Sequence, residues 1–187
     1  MSVLQTAPAN KNFLSSLKFR LDIKKLPHTS YMCQSVNLPS ISLGETQGQD
    51  TPFIKIPIPG DHLSFGELMI TFMVDEDMTN YLELYNWIVA VGYPENFDQF
   101  KTLNDKAVGT GDGLYTDGTL TIFTSHSNAN MAATFYQLYP TNISDLQFDN
   151  RASDVPYVEA TASFRFNLFD LKKITWLLVN LVVLYTI

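Results

Sequence analysis

The chain has 187 residues, 45% of them apolar and 17% charged, with a net charge of −7. That length suits one domain with a sizeable core, and the acidic balance excludes a surface built to grip nucleic acid, because phosphate binding needs clustered Lys and Arg. A single cysteine, Cys33, excludes an intrachain disulfide and a zinc cluster built on several thiolates; free cysteine favours burial, so a buried thiol is expected.

Residues 1–14 are small and polar and read as an N-terminal arm. Their opening, MSVLQTAPANKN, lacks the basic-then-apolar pattern of a secretion signal, which predicts synthesis and use in a cytosol. Leu17–Lys24 alternates strictly, with Leu17, Phe19, Leu21 and Ile23 on one side and Lys18, Arg20, Asp22 and Lys24 on the other: a half-buried strand, ended by Pro27. Tyr31, Cys33 and Ser35 begin a second strand that stops at Leu38-Pro39. Residues 40–52 are rich in Ser, Gly, Glu, Gln and Asp and read as a loop. Phe53–Pro59 is strongly apolar but holds Pro57 and Pro59. Proline cannot donate to a ladder, so this is an edge strand or extended arm. Two placements stay open for it, against a neighbouring subunit or folded back on its own core.

Leu68–Gly92 is the most informative block. Leu68, Ile70, Phe72 and Val74 alternate as a strand, and then Asp75, Glu76 and Asp77 interrupt the apolar run. Met78, Tyr81, Leu82, Tyr85, Ile88 and Val89 follow at helical spacing. Asp75 or Asp77 is placed to cap the first turn, Gly92 to close the helix in a left-handed conformation, and Pro94 to forbid its continuation. Pro94–Leu103 suits a short second helix. Asn104–Gly118, with four glycines and no apolar period, is a long loop. Strands are expected around Leu120–Thr124 and Met131–Tyr139. A turn and a short strand are expected over Pro140–Asp149, and a closing strand over Val158–Leu168. The last 14 residues, Ile174–Ile187, are almost wholly apolar. They are too short to span a bilayer as a helix, which needs about 20. A buried last element, a docking tail for another subunit and membrane contact remain as readings.

Little here suggests catalysis. His28, His62 and His126 lie apart, in no metal spacing, and Asp75-Glu76-Asp77 reads as a helix-capping turn before it reads as a cation site. Gly109, Gly111 and Gly113 lack the strand, helix and Lys of a phosphate loop. Asn142-Ile143-Ser144 is a glycosylation triplet with no route to modification. No nucleophile carries a partner signature. The expectation is a non-enzymatic protein without cofactor or metal.

Three segments carry a family resemblance. They are Tyr31-Met32-Cys33-Gln34 through Leu38-Pro39; Ile70–Glu76 with Thr79-Asn80-Tyr81 and Asn86-Trp87; and Leu138–Asn142 with Ser144-Asp145-Leu146, followed by the strand to Phe169. In order and spacing they resemble the tail tube proteins of contractile-tailed bacteriophages, with the tube-like domains of baseplate cap and initiator proteins. The resemblance spans residues 15–171 and leaves 172–187 as an apolar extension.

It implies a mainly β (α+β) subunit, an antiparallel β-sandwich or barrel with one flanking helix. Six copies would form a ring with a continuous inner β-barrel, and rings would stack into a conduit for DNA that passes without specific binding. Sheath and baseplate proteins would be the partners, the virion tail the location, and the host cytoplasm the place of assembly. Inter-subunit contacts are expected from Phe53, Ile54, Ile56 and Ile58 and from Trp176, Leu177 and Leu178. Glu159, Thr161 and Ser163 are candidates to face the lumen. The long loop 104–118 and the extension 172–187 are departures that suit a tube initiator, cap or tail-end adaptor. A ligand- or carbohydrate-binding β-sandwich is the reading from another class.

Overall fold

The computed structural model describes residues 12–47, 57–92, 98, 101, 113–148 and 157–174. The chain runs β1 (Phe19–Ile23), α1 (Pro27–Tyr31), β2 (Cys33–Val36), β3 (Ile41–Gln47), β4 (Pro57–Phe65), β5 (Leu68–Met73), α2 (Thr79–Gly92), β6 (Thr116–Phe123), β7 (Ala129–Ile143), β8 (Glu159–Arg165) and β9 (Leu168–Lys173). All pairings are antiparallel. The architecture is the expected β-rich one, with helices beside the sheet.

β7 organises it. Its first part pairs with β6 on one side and β9 on the other, from Met131 to Tyr136. Its last part, from Tyr139 to Ile143, pairs with β8. One strand therefore belongs to two layers, β1-β6-β7-β9 and β7-β8-β5-β2. The change of partner sits at an irregularity. Gln137 has φ 55°, a left-handed value that a side chain resists, and the register with β6 slips between Thr116 and Gly118. Asp117 Oδ1 accepts the Gln137 N–H at 3.1 Å and so holds the kink. The turn expected at Pro140 is absent. Pro140 sits within β7 opposite Phe164, and the strand continues to Ile143.

Between the layers lies an aromatic core. Phe135 meets Phe166 at 5.1 Å and Phe169 at 5.6 Å between ring centroids, and Phe65 on β4 reaches the same pair. Leu68, Ile70 and Phe72 of β5 and Ala160, Ala162 and Phe164 of β8 are buried opposite one another, as period-two alternation requires. Leu17 departs from its alternation. It precedes β1 and is exposed.

α2 turns inward a face that overlaps the one its apolar pattern favours. Asn80, Leu84 and Trp87 are buried and Tyr81 and Ile88 pack against the core as expected, while Leu82 and Tyr85 are about half exposed. A polar latch fastens the start of the helix in this orientation. The Asn80 amide donates to Met73 O at 2.7 Å, and its oxygen accepts from Asp75 N–H at 3.2 Å and Tyr81 N–H at 2.8 Å. The Asn80 carbonyl takes the Thr29 hydroxyl from α1 at 3.1 Å. Asp75 does not cap the helix as expected; its carboxylate accepts the Glu76 N–H. Met78, at φ 54°, makes the corner into α2. At the other end Gly92 is the last helical residue, with no left-handed φ. Trp87 donates to Leu114 O at 3.2 Å, and Lys25 lies over its ring.

Two further elements depart from expectation. Pro27 opens a short helix as well as ending β1, because a proline at the first helical position lacks only an N–H that would be unpaired anyway. The loop expected over 40–52 is, as far as Gln47, a strand paired with β4 in a long hairpin. Pro57 and Pro59 are tolerated there because a two-stranded ribbon is all edge. The register slips between Leu43 and Glu45, where a methyl on Gly60 would meet the Gly44 carbonyl oxygen at 2.5 Å. Only glycine permits that approach. Of the expected helix Pro94–Leu103, Asp98 and Lys101 are described, both helical; Asn104–Asp112 lies outside the described residues.

Candidate functional site

Among the described residues the candidate surfaces are sheet faces and edges. The layer β7-β8-β5-β2 buries one face and turns the other outward. Register places Met73 opposite Glu159, Thr71 opposite Thr161, and Met69 and Asn142 opposite Ser163, with Ser35 beside Thr71. The three lumen candidates thus share the outward face, although Ser163 is itself largely covered at 8% exposure. The face is small, hydroxyl-rich and free of lysine. Arg165, at its end, is paired with Glu67 at 2.9 Å. Extra bonds fasten β8 to the end of β7, with Thr141 Oγ1 donating to Ser163 O at 3.1 Å and Thr161 N–H to Ser144 Oγ at 2.9 Å.

This layer has two open edges among the described residues. β2 pairs with β5 alone. The Tyr139–Ile143 stretch of β7 pairs with β8 alone, since the β6 register ends at Leu138. Open strand edges are a liability unless something meets them.

The hairpin is the second surface. Ile41, Leu43, Ile58 and Leu63 are each about half exposed or more, while Phe65 at its base is held by the core. Of the residues expected between subunits, Ile58 is described and is about half exposed. Phe53, Ile54 and Ile56 lie outside the described residues, as do Trp176, Leu177 and Leu178. The wider hairpin escaped notice because Ser42, Gly44 and Glu45 mask the alternation of Ile41 and Leu43; Leu63 and Phe65 around Ser64 were the available signal.

Two titratable groups merit placement. Cys33 is half-buried, and burial pushes its thiol up to about 11, so it is a poor nucleophile at neutral pH. His28 Nδ1 lies 2.5 Å from Glu83 Oε1, joining α1 to α2. That hydrogen bond first, then the Glu83 charge, raises the His28 pKa, with Asp75 adding. A raised histidine contributes stability that is complete below its ordinary pKa and fades as pH rises through the folded value. The melting-temperature gap between wild type and Glu83→Gln is therefore expected to be widest below the ordinary histidine value and to shrink as pH rises through the raised folded value, measured by calorimetry. A gap constant with pH would remove the linkage.

Among the described residues no group of three His, Cys, Asp or Glu is placed to hold a metal, and no helix is long and apolar enough to cross a membrane.

The sequence family described as phage tail tube protein matches residues 5–171. The chain belongs to the phage tail tube protein family. A tail tube protein is a structural component of the virion tail, so the membership supports a non-enzymatic role. A curated relative, the tail tube terminator protein of Enterobacteria phage T4, is 23% identical over 142 residues, covering 75% of this chain and 76% of that one. Among solved structures, the tube-terminating cap of the anti-feeding prophage superposes with a TM-score of 0.62 at 11% identity, over 93% of this chain and all of that one. A sheath-tube complex of an extracellular contractile injection system, in the extended state, gives 0.60 at 14% identity, over 93% and 99%. The described residues from β1 through β9 thus carry the tail tube fold.

Proposed function

We propose that this protein forms a ring at the end of the tail tube and terminates it. The observation that carries the ring is the pair of open edges on one sheet. In a head-to-tail ring, β2 of one copy meets the Tyr139–Ile143 edge of the next, and closure leaves no edge unpaired. The outward face with Thr71, Glu159 and Thr161 then lines the channel. Its lack of lysine suits passing DNA, which an acidic or neutral wall repels or ignores and a basic wall would retain. Six copies per ring, sheath and baseplate neighbours, and assembly in the host cytoplasm complete the reading.

Placement at the end is supported by the T4 terminator relative. Repeated shaft subunits are the second reading, favoured by the likeness to the sheath-tube complex. Quantitative mass spectrometry of purified virions separates them. One or two rings' worth of copies is expected, and a number scaling with tail length would establish the shaft. Negative-stain images of purified protein with a tube seed should show sixfold rings; a strictly monomeric species at high concentration would overturn the ring itself.

A further inference from the structure

Among the described residues β1 pairs with β6 on one side only. Its end is closed, because the Ile23 N–H donates to Ser30 Oγ at 3.1 Å and its carbonyl accepts the Leu26 N–H at 3.1 Å. Along Phe19–Asp22 no described strand lies on the outer side. An open groove of about 840 Å³ runs there, with Phe19, Leu21, Pro27, Tyr31 and Cys33 in its lining. Tyr31 is 86% exposed.

The same chain carries a segment with the complementary need. Phe13, Leu14 and Leu17 are 97%, 66% and 87% exposed; in sequence Phe13, Ser15 and Leu17 continue the parity of β1, while in this structure Ser16–Leu17 form a turn that must extend for the segment to act as a strand. This segment cannot fold onto its own groove. Lys18 fixes the junction: its carbonyl accepts the Phe123 N–H at 3.1 Å, and its ammonium donates to Ser125 O at 3.1 Å and Ser127 Oγ at 2.7 Å. Asn12, Phe13 and Leu14 accordingly lie beside Thr124, Ser125 and His126, past the opposite end of β1.

We propose that residues 12–17 of one copy add as a strand to the outer edge of β1 in an adjoining copy, with Phe13 and Leu17 entering the groove beside Tyr31. Backbone pairing supplies the hold, and the apolar part of a lining that also carries Arg20, Asp22, Lys24 and Asp117 sets the register. Six extended residues reach about 20 Å, enough to cover the open edge. The two apolar side chains, Phe13 and Leu17, bury on the order of 300 Å² in all, well short of the roughly 800 Å² per partner of a stable interface. The addition therefore operates only where other contacts already hold copies together, and in that respect it rests on the ring reading above. A second copy is the fitting occupant because donor segment and acceptor edge are separate sites on one chain, which repeat head to tail.

The test uses the full-length chain with Phe13→p-benzoylphenylalanine, mixed from isotopically light and heavy copies and assembled under mass photometry. Irradiation is expected to join position 13 of one copy to a peptide spanning Phe19–Tyr31 of a copy of the other isotope. Assemblies whose cross-links run only within a copy, to Thr124–Asn130, would overturn the strand addition and leave the ring standing. Failure of any assembly to form would overturn the ring, and the addition with it. Leu17→Asp, at an exposed position, is expected to fold normally by circular dichroism and weaken assembly on the order of tenfold; unchanged assembly would also count against the proposal.

Discussion

Asn80→Ala is expected to destabilise the fold by about 3–5 kcal/mol, because it strands three part-buried backbone groups at once. The Met73 carbonyl loses its donor, and the Asp75 and Tyr81 N–H groups lose their acceptor, around a side chain that is wholly buried. Loss of the latch is also expected to loosen the seating of the first turn of α2 on the sheet. Urea melts followed by far-UV circular dichroism measure the cost. Asn80→Asp keeps the oxygen for the Asp75 and Tyr81 amides but loses the bond to Met73 and buries a charge, so it should not rescue. A loss below about 1 kcal/mol for Asn80→Ala would show that packing alone orients the helix.

Phe135→Ala is expected to cost a similar 3–5 kcal/mol, from lost transfer energy and the cavity left behind. It should also act at a distance. Phe135 supports Phe166 and Phe169, and these in turn hold Phe65 at the base of the β3–β4 hairpin. Hydrogen-exchange mass spectrometry of the variant should show faster exchange in Ile41–Leu43 and Leu63–Phe65 at denaturant concentrations where β5 and β8 remain protected. Uniform loss of protection across the chain would mean the hairpin has no separate dependence on that cluster.

Much of the architecture was legible because alternation is a strong signal when one face is buried. β1, β5 and β8 show it plainly, through Leu21 and Ile23, Leu68, Ile70 and Phe72, and Ala160, Ala162 and Phe164. The hairpin was not legible because neither of its strands has a buried face to enforce alternation, and the exposed Ile41, Leu43 and Leu63 stand among Ser, Gly and Pro. The helix face was legible in part: Tyr81 and Ile88 pack inward, but hydropathy cannot see a buried asparagine that bonds three ways, so Asn80 and its neighbours on that face were not read. Pro140 suggested a turn that an irregular strand accommodates. On the candidate site, parity along β8 places Glu159, Thr161 and Ser163 on one side of the strand, with Ser163 largely covered. The matching open edges could not be read, since they depend on which distant strand leaves off where, as β6 does at Leu138.

The sharing of β7 between both layers has a mechanical consequence. Two sheets connected only by loops can slide past each other when pushed. Here a continuous covalent rod of 15 residues is stitched into both, so shear between the layers must break backbone pairing before it can move anything. Under axial load such a subunit transmits force as a stiff block, and compliance is left to the joints between blocks.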